Sequence, residues 1–241
     1  MDGKMKTMKA VISKVKEEAD EINTYTISLP EEIEFIPGQF VMTWFDEEPN
    51  LKRAYSIASS PLKKKEIELT IKKVAKFTSK LFEKKEGDKI NVQGPFGHFT
   101  FKETDKHDLI LIAGGTGITP LLCMMRYIKD KKLKNKVHLF YSNRTPETIL
   151  YKEELDELNK EKNIEVIYTC TRIEEKDKAK WEGYCERINE KMIEKHVKTF
   201  ENKIAYLCGA KEMVSQLEKM LLEHGVPKEQ VKTEKWWNRK A

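Results

Sequence analysis

The sequence predicts two consecutive domains: a six-stranded antiparallel β-barrel over residues 1–104, and an α/β domain with a doubly wound parallel sheet over 105–241. Three observations carry this expectation. Up to about residue 103, short stretches of alternating apolar and polar residues are separated by turn dipeptides, as in small all-β barrels. From Asp108 the rhythm changes to strand, helix, strand, helix, the pattern of βαβ units. At the head of that second half, the continuous apolar run Leu109-Ile110-Leu111-Ile112-Ala113 ends in glycines, as expected of a strand buried on both faces of a parallel sheet.

In the first half, apolar and β-branched residues alternate at 9–15, 24–29, 39–45, 66–74 and 89–92, which predicts strands there. The β-like run at 53–59 supplies the sixth. Punctuation falls between them at Pro37-Gly38, Pro49-Asn50, Ser60-Pro61, Gly87-Asp88 and Gly94-Pro95. One helix is predicted at 78–85, where Leu81 and Phe82 share a face between polar residues. In the second half, strands are predicted at 109–113, 136–141, 164–170, 204–208 and 231–234, with helices at 120–130, 152–160, 189–195 and 212–224. The boundary between the halves falls at 104–106. The lysine-rich stretches 63–65 and 129–136 read as solvated turns and helix ends.

Composition narrows the class. With 39% hydrophobic and 35% charged residues, the chain reads as a soluble globular protein with a heavily charged surface. The net charge of +5 comes from 45 basic and 40 acidic residues with both signs interspersed, which argues against a dedicated nucleic-acid binder. No apolar run approaches the roughly 20 residues of a membrane-spanning helix. No apolar signal core follows the first charged residues, so the expected location is the cytoplasm. The cysteines, Cys123, Cys170, Cys185 and Cys208, lack the close spacing of an iron–sulfur or zinc site, so no metal site is expected. Structural disulfides are not expected in a reducing compartment.

Two runs bear chemistry. In Ala113-Gly114-Gly115-Thr116-Gly117-Ile118-Thr119-Pro120, glycines let the backbone turn sharply at a strand's carboxyl end and approach a pyrophosphate. The helix behind it offers unpaired N–H groups to an anion. Thr119 is expected to cap that helix and Pro120 to occupy its first position, where the usual third glycine of a dinucleotide fingerprint is absent. The bare pattern also describes a tight turn without a ligand; the buried strand before it and the helix after it favour a nucleotide. The next strand ends at Tyr141-Ser142-Asn143-Arg144, with an arginine in place of the carboxylate that would hold a ribose hydroxyl. Thr171 and Arg172 follow the third strand, and two strand ends share one rim, so Arg144 and Arg172 tilt the choice of nucleotide towards NADP over NAD. The other run is Arg53-Ala54-Tyr55-Ser56-Ile57-Ala58-Ser59, with a cation for a phosphate, a ring to lie on a flat heterocycle, and hydroxyls for its polar edge. Residue types alone leave this run equally open to an ordinary strand.

Arg-x-Tyr-Ser-x-x-Ser, then Gly94-Pro95-Phe96-Gly97, then Gly114-Gly115-Thr116-Gly117-x-Thr119-Pro120, then Cys208-Gly209 resembles the ordered motif series of the ferredoxin–NADP⁺ reductase family, over nearly the whole chain. The resemblance implies a bound FAD in the barrel and NADP(H), with NAD(H) as the other option, on the second domain. It implies that Arg53 and Ala54 lie at the FAD pyrophosphate, that Tyr55 stacks on the isoalloxazine, and that Ser56 hydrogen-bonds near its N5. It further implies that Ile71, Lys72 and Val74 run along the adenylate half and that Thr78 meets the pyrophosphate. The family usually has a glycine two residues before that hydroxyl, where this chain has Lys76. Gly115, Thr116, Gly117, Thr119 and Pro120 would hold the nicotinamide dinucleotide, Arg144, Thr171 and Arg172 its extra phosphate, and Cys208 and Gly209 its nicotinamide end. Ser56, Cys208 and Trp236 are thus the expected catalytic positions. Trp236 resembles the aromatic that follows the family's glutamate and covers the flavin, although Trp237 is an equal candidate and both equally suit closure of the core edge. The five histidines receive no catalytic role, because hydride transfer between these cofactors needs no protein acid or base.

The implied activity is that of a flavoprotein oxidoreductase. It would transfer a hydride between NADP(H) and FAD and exchange single electrons with a separate carrier such as ferredoxin or flavodoxin. The alternative is an NADH-dependent reductase component of an oxygenase or of a larger electron-transfer complex.

Overall fold

A computed structural model describes residues 5–236. They form two compact units: one comprises the described residues up to Glu103 together with Thr119–Lys132, the other Thr104–Ile118 and the described residues from Leu133 onward.

The first unit is a six-stranded antiparallel sheet built from β1 (Lys6–Ala19), β2 (Ile22–Ser28), β3 (Phe40–Trp44), β4 (Arg53–Ser56), β5 (Glu66–Lys72) and β6 (Lys89–Phe96), in the order β4-β3-β6-β1-β2-β5. β1 alternates as predicted, with Met8, Ala10 and Ile12 inward. A register shift between Ile12 and Lys14 then changes the phase, and the strand continues past the predicted end, pairing Lys16 with Thr24 and Glu17 with Asn23. Charged residues hid this extension, since pairing with β2 and not side-chain period sustains it. β6 likewise runs through Gly94-Pro95, where a turn was expected, because β1 and β3 flank it as far as Gly94 and Phe96. The two end strands are drawn together beyond β4: Ala58 N donates to Glu68 O at 2.8 Å, and Ser59 Oγ accepts from Glu68 N at 3.1 Å. A short helix α1 (Lys76–Phe82) carries Phe77 and Leu81 into a core with Tyr25, Ile27 and Leu69.

Helix α2 (Ile118–Asp130) belongs by packing to this unit from Thr119 onward. Its Cys123 Sγ donates to Ser59 O at 3.0 Å, and Arg126 Nη1 donates to Ala58 O at 2.9 Å and to Glu68 Oε2 at 2.6 Å. Burial raises the Glu68 carboxyl, but Arg126 and then Lys63 outweigh it and hold the group below its ordinary value. The helix thereby covers the place where β4 and β5 close on each other.

The second unit is a five-stranded parallel sheet of β7 (Asp108–Gly114), β8 (Val137–Asn143), β9 (Ile164–Cys170), β10 (Lys203–Ala210) and β11 (Val231–Trp236), in the order β11-β10-β7-β8-β9. Leu109 to Ala113 are fully buried, as the continuous apolar run predicts. Helices α3 (Lys152–Leu158), α4 (Glu175–Lys178), α5 (Glu190–His196) and α6 (Lys211–Glu223) complete the unit. Met192, Ile193, Val214, Leu217 and Leu221 of α5 and α6 pack on Ile110, Ile112, Phe140 and Leu207 of the sheet. The four-residue α4 was not predicted; it is too short and too polar to show a period. The strand order reverses between β7 and β10, which makes their carboxyl ends the switch point where open α/β sheets take ligands. Among the described residues no helix is long and apolar enough to cross a membrane.

Candidate functional site

In the barrel unit, β4 lies at the end of the sheet order and pairs with β3, Arg53 opposite Thr43 and Ser56 opposite Phe40. Arg53 and Ala54 are exposed, Tyr55 and Ser56 half-buried, and the chain then turns inward at Ile57, Ala58 and Ser59. One guanidinium N–H of Arg53 donates to Lys52 O at 2.8 Å, which leaves a fork of further donors facing outward. The Tyr55 ring lies against Phe77, centroids 6.0 Å apart and planes 28° apart, and Phe77 in turn stacks on Phe45 at 5.1 Å. Burial raises the Tyr55 phenol well above its ordinary value, so it stays neutral. Of the β5 residues, Ile71 is buried and Lys72 exposed; Val74 beyond the strand is 67% exposed, an apolar side chain left facing outward.

Thr78 is 4% exposed and its hydroxyl is committed locally. It accepts from Val74 N and Ala75 N, both at 2.9 Å, and donates to Ala75 O at 2.8 Å. The side chain therefore shapes the turn into α1. Lys76, standing where the resemblance expects glycine, is accommodated because its side chain runs to Glu48 Oε1 at 2.5 Å, beside Lys80 at 3.0 Å from Oε2. An outward arginine fork, a braced aromatic ring, an outward valine and neighbouring cations together fit an anionic, partly aromatic ligand such as FAD.

In the parallel-sheet unit, β7 ends at Gly114 and a single 3₁₀ turn, Gly115–Gly117, leads into α2. Gly115 has φ +53, and a Cβ there would meet nothing within 4 Å; the backbone conformation is what requires glycine. Gly117 is required for the opposite reason, because a Cβ there would stand 2.1 Å from Cys208 O. Tyr141 Oη donates to Gly115 O at 3.0 Å and accepts from Leu150 N at 3.4 Å, fixing the turn to β8. Thr116 is half-exposed. α2 starts at Ile118, so Thr119 and Pro120, both buried, sit inside its first turn and not at the cap and first position that the sequence predicts. Proline is tolerated there because first-turn N–H groups have no intrahelical acceptor.

Cys208, buried near the end of β10, pairs with Ala113 of β7 and with Glu234 of β11. Its Sγ donates to Glu234 Oε2 at 3.7 Å. Burial pushes the thiol well above its ordinary value, with the Glu234 charge adding. Burial also raises the Glu234 carboxyl, against the lowering effect of the thiol's hydrogen bond. The two groups form a hydrogen-bonded pair beside Gly209 at the switch point. Glu234 was not among the predicted site residues; its signal was its place two residues before Trp236 in the sequence. Trp236 enters only as the backbone end of β11, opposite Ala210, and Trp237 lies outside the described residues.

The structure brings Arg144, Thr171 and Arg172 together. Beyond the ends of β8 and β9 the ladder continues: Thr171 N donates to Asn143 O at 3.0 Å and Arg172 N to Arg144 O at 2.7 Å. Both arginines are exposed on this rim. A cleft of about 680 Å³ opens at the same strand ends, lined by Ser142, Thr171, Ala210, Arg187, Met213 and Gln216. Asn143, 7% exposed, keeps a buried Nδ2 that lacks a hydrogen-bond partner. An orphaned amide donor, two rim cations and a glycine cradle fit a phosphorylated nucleotide. Sequence reasoning assigned no role to Arg187, which belongs to no motif, or to Asn143, which was read only as part of the strand end before Arg144.

Residues 9–101 match the oxidoreductase FAD-binding domain family and residues 111–219 the oxidoreductase NAD-binding domain family. The chain is 31% identical over 212 residues to the sulfhydrogenase 2 subunit gamma of Pyrococcus furiosus, covering 82% of this chain and 70% of that one. It is 34% identical over 166 residues to the NADH-cytochrome b5 reductase 2 of Candida albicans, covering 66% and 54% of the two chains. Among solved structures, the ferredoxin reductase in carbazole 1,9a-dioxygenase superposes with a TM-score of 0.83 at 25% identity, over 97% of this chain and 70% of that chain. The chain spans 47% to 59% of the length of the first curated relatives it matches. With an FAD-binding domain followed by an NAD-binding domain on this fold, the chain belongs to the ferredoxin–NADP⁺ reductase family of oxidoreductases.

Proposed function

We propose that the protein is a flavoprotein oxidoreductase that transfers a hydride between NADP(H) and FAD and exchanges single electrons with a separate carrier such as ferredoxin or flavodoxin. In this reading residues 1–104 hold FAD, residues 105–241 hold the nicotinamide nucleotide, and the protein works in the cytoplasm. The observation that carries the reading is the switch point. There Gly117 lies against Cys208 O, where a Cβ would come within 2.1 Å, and the Cys208 thiol meets Glu234, all at the carboxyl ends of β7 and β10.

Each residue then has a task of its own. Arg53 binds the FAD pyrophosphate, with Ala54 leaving room beside it. Tyr55, braced by Phe77, offers its ring to the isoalloxazine, and Ser56 hydrogen-bonds the polar edge. Ile71, Lys72 and Val74 border the adenylate half, while Thr78 holds the 74–76 turn in shape. Gly115, Thr116, Gly117, Thr119 and Pro120 present backbone to the nicotinamide nucleotide's pyrophosphate. Arg144 and Arg172, with Thr171 between them in the ladder, bind the extra phosphate of NADP(H). Cys208 and Gly209 wall the nicotinamide end, and the Cys208 thiol donates to Glu234, so that each group has its partner there. The aromatic that covers the flavin is Trp236 or Trp237, which follow Glu234 and Lys235 in the sequence. Bound FAD supplies the chemistry that links two-electron exchange with a nicotinamide to one-electron exchange with a carrier.

The test is steady-state oxidation of NADPH and of NADH by the purified yellow protein, with ferredoxin, flavodoxin and an artificial dye as acceptors. Flavin that stays oxidised with both nucleotides would overturn the reading. A second reading is an NADH-dependent reductase component of an oxygenase or larger complex. It is favoured by the relatives' names, an NADH-cytochrome b5 reductase and the ferredoxin reductase in carbazole 1,9a-dioxygenase, and a preference for NADH in the same assay would select it.

A further inference from the structure

The outer edge of the parallel sheet holds a cysteine pair that the proposed hydride transfer does not use. β9 is an edge strand, and the return segment after α4 joins it in a parallel bridge, Thr169 opposite Tyr184. Three hydrogen bonds hold this register. Tyr184 N donates to Tyr168 O and Cys170 N to Tyr184 O, both at 2.9 Å, and Thr169 Oγ1 donates to Glu186 O. Cys170 and Cys185 each stand one residue beyond the bridged pair, in the same register. Registered residues of parallel strands leave the sheet on the same face. Neighbouring strands lie about 4.7–4.9 Å apart, inside the roughly 4.4–6.8 Å between Cα atoms that a disulfide spans. Cys185 is exposed and Cys170 buried. Burial pushes the Cys170 thiol up to about 12, and the charges of Glu147 and Cys185 add to that effect, as expected of neighbouring sulfurs.

We propose that Cys170 and Cys185 are a reversible disulfide site, closed by a hydroperoxide and opened by a thiol reductant. Exposed Cys185 meets the oxidant. Its sulfur attacks the peroxide, the O–O bond breaks, an alcohol or water leaves with the thiol proton, and Cys185 becomes a sulfenic acid. The Cys170 sulfur then attacks that sulfur; the S–O bond breaks, the hydroxyl leaves as water with the Cys170 proton, and the S–S bond forms. The two thiols together lose two electrons and two protons, and the peroxide takes up both. The ring so closed runs through Thr171, Arg172 and α4, tying the segment that carries Arg172 to the sheet edge. Cytosolic disulfides are of this transient, oxidant-dependent kind.

The test treats the full chain with cumene hydroperoxide, blocks remaining thiols with N-ethylmaleimide after denaturation, and weighs the unreduced tryptic peptides. The expected result is one intramolecular cross-linked pair containing Cys170 and Cys185, lighter by two hydrogens and abolished by dithiothreitol, with Cys123 and Cys208 alkylated. In a Cys170→Ser variant, Cys185 should instead be labelled by dimedone. Cys185 carried on to its sulfinic acid while Cys170 remains alkylatable, or a bridge found only between two chains, would overturn the proposal. The readout uses neither flavin nor nucleotide turnover, so it stands or falls separately from the hydride-transfer reading.

Discussion

The turns at 74–78 and at 114–118 both leave a strand and open a helix, yet they are held by opposite means. In the barrel turn, the Thr78 hydroxyl takes bonds from Val74 N and Ala75 N and returns one to Ala75 O, so a side chain of the turn satisfies its own backbone. Lys76 is then acceptable, because its side chain extends over the surface to Glu48. In the sheet turn, a neighbouring strand approaches so closely that Gly117 has no room for a Cβ beside Cys208 O, and Tyr141 of β8 ties Gly115 O from outside. A turn closed by its own hydroxyl depends on that hydroxyl; a turn closed by a neighbour's backbone depends on glycine.

The largest effect that would break this comparison is expected at Gly117. Gly117→Ala must move β10 or the turn, at a cost of about 3 kcal/mol in folding free energy. It should also raise the KM for the nicotinamide nucleotide at least tenfold while flavin content stays normal. Urea denaturation and steady-state kinetics check both, and an unchanged variant would show that the close approach is dispensable. Thr78→Val should cost about 2 kcal/mol, because it strands Val74 N and Ala75 N, and it should release flavin on dilution. Thr78→Ser keeps the hydroxyl and should restore most of both. Flavin retention that is equal in the two variants would mean the turn does not shape the FAD site.

Smaller effects sharpen the comparison on the sheet side. Arg172→Ala or Arg144→Ala should raise the KM for NADPH about tenfold or more, the loss of a charge-assisted contact worth about 1.5–3 kcal/mol. The KM for NADH should hardly change; equal losses with both nucleotides would make the arginines structural. The smallest effect is a pH dependence at Glu234. Its carboxyl is raised from 4.5 chiefly by burial, so the folded protein holds this proton more tightly than the unfolded chain. The resulting stabilisation is complete below 4.5 and fades as the pH rises through the folded value. Relative to Glu234→Gln, the wild type should therefore lose stability as the pH climbs from 4.5, as read by denaturation at a series of pH values. An unchanged difference across that range would mean the carboxyl titrates normally.

Much of this molecule was decided locally. Strand period, the apolar run of β7 and the glycines after it are short-range properties, so an all-β first half, an α/β second half and the glycine turn after β7 were legible from residue types and spacing. The Arg53–Ser56 strand was legible as a motif, although its choice between ligand contact and ordinary strand needed the family resemblance. What only the tertiary structure decided are pairings across long stretches of chain. Cys208 meets Glu234 across 26 residues because β10 and β11 lie parallel in one register, and no periodicity encodes a register between separate strands. Arg126 reads in the sequence as one more polar residue of a helix, yet it reaches Ala58 and Glu68 and seals the barrel. Asn143 keeps an orphaned donor only because folding buries it at the strand rim. Local patterns record which face of an element is apolar; which partner that face meets depends on how the whole chain shares out its buried surface and its hydrogen bonds.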